Sequence, residues 1–146
     1  MIKEVTSEQQ TRQVGEKLGR LLRGGETIEL VGDVGAGKTT FVKGLAKGLA
    51  IDDDVQSPSF TISRVYDARD GLRLAHYDFY RLADAGIMND ELAETVQDPA
   101  TVTIIEWADV VEGVLPKDRL TITFEAPSET QRRLTFSGLP ELTEKL

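Results

Sequence analysis

Cysteine is absent from the 146 residues of this chain, and no apolar run approaches the ~18 residues that a membrane-spanning helix needs. The missing cysteines exclude disulfides and thiolate metal sites, and they fit a reducing compartment. The amino terminus, Met1-Ile2-Lys3-Glu4, is not a signal peptide, so we expect a cytoplasmic protein. No internal repeat, low-complexity tract or linker interrupts the chain, which predicts one domain over residues 1–146.

Positive charge is also scarce. The chain has 17 Lys and Arg against 25 Asp and Glu, which gives a net charge of −8. Affinity for a nucleic-acid backbone comes largely from Lys and Arg that neutralise phosphates, so we expect any RNA role to run through partner proteins. The acidity is equally explained by solubility alone. With 40% hydrophobic and 29% charged residues, the composition is that of a soluble globular protein.

One stretch of the chain has the pattern of a phosphate-binding loop, Gly, four residues, Gly-Lys-Thr: Gly32-Asp33-Val34-Gly35-Ala36-Gly37-Lys38-Thr39-Thr40. A short apolar strand precedes it at Thr27–Val31. After it, apolar residues recur at helical spacing: Phe41, Val42, Leu45, Ala46 and Leu49. Strand, loop and helix in this order are the arrangement that phosphate binding requires.

The chemistry of such a loop assigns a role to each part. A helix that starts near Lys38 presents unpaired N–H groups and its positive dipole end to an anion. The glycines let the backbone curl round a β-phosphate where a Cβ would clash. We expect Lys38 to bridge the β- and γ-phosphates and the Thr39 hydroxyl to bind Mg²⁺, which prefers oxygen ligands.

The helix before this loop has a clear start and end. A strand is expected at residues 2–5, a capping box at residues 7–10, and an apolar helix face that stops at Gly24-Gly25. Thr11, near the helix start, is a candidate for the nucleotide base or simply a solvated helix residue. In the following helix, Gly44 and Gly48 predict close packing of that helix on the sheet.

Two strands around Asp70-Gly71, at about residues 62–66 and 72–77, predict an antiparallel hairpin. Three hydroxyl residues precede it at 57, 59 and 61 around Pro58. They are typical of a loop that senses a γ-phosphate, and ordinary turn chemistry around a proline is the alternative.

Acidic residues close two of the predicted strands. Asp78 follows His76 at the end of the second hairpin strand, and Glu106 ends the nearly continuous apolar strand at about 102–105. Buried carboxylates need partners, and Mg²⁺ or an attacking water would supply them. We assign Glu106 to the metal and Asp78 to the water or to a switch segment, and the reverse assignment is the alternative. The single histidine is usually structural in such a position, and Trp107 is either core or beside the nucleotide.

The rest of the chain predicts a helix at about 89–96, a second hairpin built on residues 120–124 and 134–136, and a short helix or tail at 141–146. Arg132 and Arg133 on this hairpin could reach a phosphate or a base. Adjacent arginines on an edge strand are otherwise solvated and oppose aggregation.

Four motifs together resemble the TsaE (formerly YjeE) family, the small bacterial ATPases of tRNA threonylcarbamoyladenosine (t6A) synthesis. They are the phosphate loop, Ser-Pro-Ser-Phe-Thr at 57–61, His-Tyr-Asp-Phe-Tyr-Arg-Leu at 76–82 and Ile-Glu-Trp at 105–107. The resemblance runs over about residues 5–125. Ser59 stands where the family usually has Thr, and residues 83–93 lack its Leu- and Glu-rich pattern.

The resemblance implies ATP and Mg²⁺ as ligands, with Lys38 and Thr39 contacting them and Glu106 as a metal ligand. It implies that residues 57–61 form a first switch, that Asp78 is an essential acid in a second switch, and that Trp107 lies near the nucleotide. It also implies TsaD and TsaB as partners, which would hold most of the tRNA. We include Arg133 as a nucleotide-binding candidate, although the match is loose beyond about residue 125.

We therefore predict a three-layer α/β domain of the phosphate-loop NTPase type, with a mixed, largely parallel sheet and antiparallel hairpin additions. The predicted function is an accessory ATPase for t6A formation. A small-molecule kinase would use the same loop, but the chain has no evident arginine-rich lid for a second substrate. A nucleotide-gated binding module without hydrolysis is the other alternative.

Overall fold

The computed structural model describes residues 1–58, 61–80, 82–84 and 86–146. Its strands are β1 (Ile2–Val5), β2 (Thr27–Val31), β3 (Ser63–Asp67), β4 (Arg73–Asp78), β5 (Thr101–Glu106), β6 (Leu120–Glu125) and β7 (Arg132–Ser137). Its α-helices are α1 (Glu8–Leu21), α2 (Lys38–Gly48), α3 (Met88–Thr95) and α4 (Pro140–Thr143). Single 3₁₀ segments cover Arg69–Gly71 and Ala108–Val114. No helix within the described ranges is long and apolar enough to cross a membrane.

The strands form one mixed sheet in the order β1-β7-β6-β2-β5-β4-β3. The central strands β6, β2, β5 and β4 are parallel to one another, whereas β3, β7 and β1 add antiparallel pairs at the two sides. The predicted mixed sheet and both predicted hairpins are thus confirmed. Parallel strands end at the same edge, and their register places Glu106 beside Leu30 and Asp78.

The side chains of the sheet divide between two apolar cores. One core contains Leu18 of α1, Phe41 and Leu45 of α2, and sheet residues such as Ile28 and Ile104. The second core contains Leu92 of α3, Val111 of the 3₁₀ segment, and Ile105 of β5. Since Ile104 and Ile105 point to opposite faces, helices cover the sheet from both sides. This is the three-layer architecture that the sequence predicts.

Helix α1 begins at the predicted capping box. Ser7 is the N-cap, and its Oγ accepts a hydrogen bond from Gln10 N at 3.1 Å. The Gln10 Oε1 accepts from Thr6 N at 2.7 Å, one residue before the cap, instead of closing the reciprocal bond on Ser7. The cap fixes the start of α1, and therefore the position of Thr11 one turn later.

The prediction that Gly44 and Gly48 pack helix α2 against the sheet is wrong, because the two glycines contact another helix. A Cβ at Gly44 would lie 2.1 Å from Arg12 O, and one at Gly48 would lie 2.2 Å from Glu16 O. Both glycines therefore allow α2 to approach the backbone of α1, not the sheet. Small residues on one helix let the two backbones come close, and this close pair brings the start of α1 next to the loop that precedes α2.

Candidate functional site

Three strand ends meet at one edge of the sheet. The loop 32–37 follows β2, Asp78 closes β4, and Glu106 closes β5 between them. Because these strands are parallel neighbours, their carboxyl ends lie together, which is where α/β proteins place their ligands. Lys38, Asp78 and Glu106 are the residues predicted from the sequence to form one ATP and Mg²⁺ site, and all three line the same cavity in the structure.

The loop 32–37 leads into α2 through glycines with left-handed backbone. Gly37 is the N-cap of α2 with φ 103°, so no side chain can cap the first N–H groups of the helix. They stay available to an anion, and the exposed Thr39 sits in this first turn. Position 32 also requires glycine because of a contact that the sequence did not predict. A Cβ there would lie 2.8 Å from Phe124 O on β6.

Lys38 is only 6% exposed and makes three contacts. Its Nζ donates to Gly32 O at 2.6 Å, lies 3.7 Å from Glu106 Oε1, and stands 4.4 Å from the centre of the Trp107 ring. A carbonyl, a carboxylate and an aromatic face each attract a cation. The ammonium is therefore held inside the site at the mouth of the loop.

The two carboxylates lie side by side on β4 and β5 and are both almost fully buried. Asp78 Oδ1 accepts from Tyr80 N at 2.9 Å, and Oδ2 accepts from Ser57 Oγ at 3.3 Å. Glu106 Oε2 lies 2.6 Å from His76 Nε2. Asp78 thus joins the segment after β4 to the segment around Ser57, the two stretches that the family resemblance implies are switches.

Part of each proposed switch falls outside the described residues. Ser59 of the first switch and Arg81 of the second lie outside the described ranges. Within the described part, Ser57 and Tyr80 both line the site. The described part of each segment therefore contacts the cavity through one residue, and the switch roles of the two segments stay predictions.

Trp107 follows Glu106 with φ 56° and ψ 54°, a left-handed conformation that costs a bulky residue about 1–3 kcal/mol. Its ring centre lies 4.9 Å from that of Tyr80, and its side chain lines the site. Such strain persists only where the surroundings enforce it, and it concentrates at functional sites. The strained backbone puts the indole over Lys38, so Trp107 belongs to the site as well as to the edge of the second core.

These groups surround a cavity of about 750 Å³. It is large enough for a small-molecule ligand. Its walls come from the start of α1, the loop, the start of α2, the ends of β4 and β5, and β7: Glu8, Thr11, Val34, Gly35, Gly37, Lys38, Thr39, Thr40, Ser57, Asp78, Tyr80, Glu106, Trp107 and Arg132. Thr11 is a buried wall residue whose Oγ1 donates to Ser7 O at 3.3 Å, not a solvated one.

Arg132, not Arg133, lines this cavity. Arg133 donates to Glu4 Oε1 at 3.1 Å and lines a second cavity of about 460 Å³, which also touches Asp33, Gly35 and Ala36 of the loop. Alternation along β7 explains the difference, because Arg132 shares a face with Leu134 in the first core. The same alternation was readable in the sequence and would have separated the two arginines.

Candidate metal ligands at the site are oxygen atoms: the Thr39 hydroxyl and the carboxylates of Asp78 and Glu106. The described residues contain no cluster of three or more His, Cys, Asp and Glu side chains suited to a metal. Mg²⁺ does not need such a cluster, because it is commonly held by one or two carboxylates together with phosphates and waters. The donor set therefore fits Mg²⁺ that arrives with a polyphosphate.

Comparison with known proteins gives consistent relatives. The family model of the threonylcarbamoyl adenosine biosynthesis protein TsaE matches residues 5–134. TsaE of Treponema pallidum is 40% identical over 131 residues, which cover 90% of this chain and 96% of that protein. TsaE of Bacillus subtilis is 36% identical and covers 94% of this chain and 85% of its own. The crystal structure of Bacillus subtilis YdiB matches with a TM-score of 0.80 and 33% identity, over 99% of this chain and 92% of that one.

Proposed function

Because the chain belongs to the TsaE family of tRNA threonylcarbamoyladenosine biosynthesis proteins, we propose that it binds and hydrolyses ATP with Mg²⁺ as an accessory subunit of this modification. The observation that carries the proposal is the meeting of Lys38, Asp78 and Glu106 around one cavity at the start of α2. A cation, an uncapped helix start and two carboxylates are the groups that phosphate-loop hydrolases use. The similarity of this chain to TsaE proteins supports its role in this modification.

The phosphates would lie on the N–H groups of residues 33–40, with Thr11 and Trp107 beside the rest of the nucleotide. Lys38 would exchange its contacts with Gly32 O and Trp107 for the β- and γ-phosphates. Of the two adjacent arginines, Arg132 is better placed than Arg133 to approach the ligand. Its Nη1 now donates to the carbonyls of Ser128, Glu129 and Gln131.

Thr39 and Glu106 would hold Mg²⁺, which neutralises charge on the phosphate oxygens when bound. Asp78 would orient the attacking water and accept its proton. Its bonds to Ser57 Oγ and Tyr80 N would fix the carboxylate direction. The reverse assignment, with Asp78 on the metal and Glu106 on the water, uses the same atoms. The distance from each carboxylate to the metal in a nucleotide complex would distinguish the two assignments.

We propose TsaD and TsaB as partners in the cytoplasm, with the tRNA held mainly by them. The net charge of −8 supports this division, because RNA affinity depends on cationic surface. Turnover by the chain alone should be slow. Among the described residues, the cations that line the cavity are Lys38 and Arg132, and Arg132 is engaged by backbone carbonyls.

Single-turnover hydrolysis of radiolabelled ATP, with and without purified TsaB–TsaD, tests the proposal. Without a charge-neutralising arginine in place, the rate alone should be on the order of 10⁻⁴–10⁻² per second, and the partners should raise it. Glu106→Gln serves as the matched inactive control. Fast hydrolysis that the partners leave unchanged would contradict the accessory role.

Two other results would redirect the assignment. Phosphate release that stays undetectable even with the partners would favour a nucleotide-gated binding module. Transfer of phosphate to a small acceptor would favour a kinase.

A further inference from the structure

The only histidine of the chain lies directly behind Glu106. His76 is in β4, on the same face as Asp78 two residues later, and its ring is 1% exposed. Its Nε2 is 2.6 Å from Glu106 Oε2, while Glu106 Oε1 points to Lys38 Nζ at 3.7 Å. The two oxygens of one carboxylate therefore have different partners on different sides.

The hydrogen on the His76 ring follows from this contact. An ionised carboxylate only accepts, so Nε2 carries the hydrogen and donates it to Oε2. The other nitrogen, Nδ1, is buried and has no hydrogen-bond partner among the described residues.

Packing alone does not account for an imidazole at this position. Neighbours on this face of the sheet include Leu74 of β4 and Ile104 of β5, both fully buried and apolar. An apolar side chain would pack there without leaving a buried nitrogen unpaired, which carries a desolvation cost. The hydrogen bond to Glu106 is what an apolar side chain could not supply.

We propose that His76 is a positioning residue that holds Oε2 of Glu106 and so keeps Oε1 facing the nucleotide side of the cavity. This rests on the proposed function, in which Glu106 is a ligand of Mg²⁺. Without the imidazole, the flexible Glu106 side chain can turn both oxygens toward the Lys38 ammonium. Hydrogen bonds to a ligating carboxylate orient it, and their loss typically weakens metal binding about 10–100-fold.

Nitrogen-15 NMR of the unmodified protein gives the first test, because a single histidine needs no assignment. Two-bond ¹H–¹⁵N spectra should show that Nε2 bears a hydrogen. A ring whose Nε2 lacks the hydrogen would overturn the proposal, because it could not donate to Glu106. This readout does not depend on any variant remaining folded.

The second test compares His76→Leu with His76→Gln, whose amide nitrogen reaches about as far as Nε2. ADP is titrated calorimetrically into each protein with Mg²⁺ and with EDTA, and the tightening by Mg²⁺ is the ratio of the two dissociation constants. A general loss of ADP binding cancels in this ratio. We expect His76→Leu to lose most of the tightening, up to the ~10–100-fold scale of such effects, and His76→Gln to keep most of it. Tyr77→Phe, next in the strand but on the opposite face, is the matched control and should equal the parent.

The outcomes separate this inference from the function on which it rests. If the parent protein shows no tightening by Mg²⁺ and Glu106→Gln behaves identically, the proposed metal site fails and the role of His76 fails with it. If the parent shows tightening and His76→Leu retains it, only the positioning role is overturned. Equal losses in His76→Leu and His76→Gln would also overturn it, because the hydrogen bond would then not be the cause.

Discussion

The two faces of the sheet bury different kinds of residue at the same strand ends. Toward α1 and α2, β4 and β5 present His76, Asp78 and Glu106 beside Lys38. Toward α3, the intervening positions are mainly apolar: Ala75, Tyr77, Phe79 and Ile105. One residue step along a strand therefore separates a polar side chain at the candidate site from an apolar side chain in the second core. Substitutions on the two faces should have separable effects.

Lys38→Ala should have the largest effect on the chemical face. Its ammonium has no replacement in the phosphate-loop pattern, and loss of one such charge-stabilising donor typically costs about 10²–10³ in rate. We expect both ATP affinity and turnover to fall, as measured by equilibrium titration and phosphate release. Lys43→Ala, on the exposed side of the same helix, is the matched control. Parental turnover in Lys38→Ala would remove the basis of the comparison.

Asp78→Asn should be the next largest change. The amide keeps an oxygen that can accept from Tyr80 N or Ser57 Oγ, but it cannot take a proton from water. We expect turnover to fall by at least ~10²-fold, the lower end for a lost general base. Nucleotide affinity should stay within a few-fold of the parent. An equal loss of affinity and turnover would show instead that Asp78 acts in binding the nucleotide.

Leu92→Ala probes the other face. Leu92 is fully buried in the second core, so truncation should destabilise the fold by about 2–5 kcal/mol through lost contacts and a cavity. Urea unfolding measures this, with Ile87→Ala, which is 86% exposed, as the control that changes little. Turnover per folded molecule should match the parent at low temperature. Lost turnover in a folded Leu92→Ala protein would break the separation of the faces.

Tyr77→Phe should give the smallest effect. The Tyr77 hydroxyl bonds to Thr95 Oγ1 at 2.9 Å and to Glu91 Oε1 at 3.4 Å, and its loss should cost about 0.5–1.5 kcal/mol. Phosphate release should be unchanged. A fall in turnover comparable with that of Asp78→Asn would show that the α3 face also takes part in the chemistry.

The same hydroxyl predicts a pH dependence. Burial raises the pKa of Tyr77 above its ordinary 10.0, so the unfolded chain loses this proton first. Above about pH 10 the folded state therefore binds more protons than the unfolded state does. The free energy of unfolding should fall as the pH rises further. The Phe variant lacks this group and should lose less stability between about pH 8 and about pH 10.5. Urea midpoints at the two pH values, compared between parent and variant, provide the measurement.

Local pattern predicted the elements closely. The strand predicted at 72–77 is Arg73–Asp78, and the helix predicted at 89–96 is Met88–Thr95. Alternation, helical spacing and turn residues are local signals, so they can be recognised in the sequence without tertiary information. The meeting of Lys38 with both acids was also predictable, because parallel strands end together.

Contacts between distant segments were less accessible. Gly44 and Gly48 face α1 because of a helix pair that neither segment specifies alone. The left-handed backbone of Trp107 and its contact with Lys38 depend on tertiary packing, to which no local motif points. The placement of Arg132 and Arg133 in different cavities, by contrast, was predictable, because neighbouring side chains of a strand point to opposite faces of the sheet.

The contact between Lys38 and Trp107 gives the molecule an intrinsic optical probe. Trp107 is the sole tryptophan, so ultraviolet excitation above the tyrosine band reports on this one indole. A cation 4.4 Å from the ring centre perturbs the energy of the excited state through its electric field. Transfer of that charge to a phosphate would shift the emission spectrum without any attached dye. If ATP binding moves the lysine in this way, stopped-flow fluorescence would time the movement, and its rate could be compared with that of phosphate release.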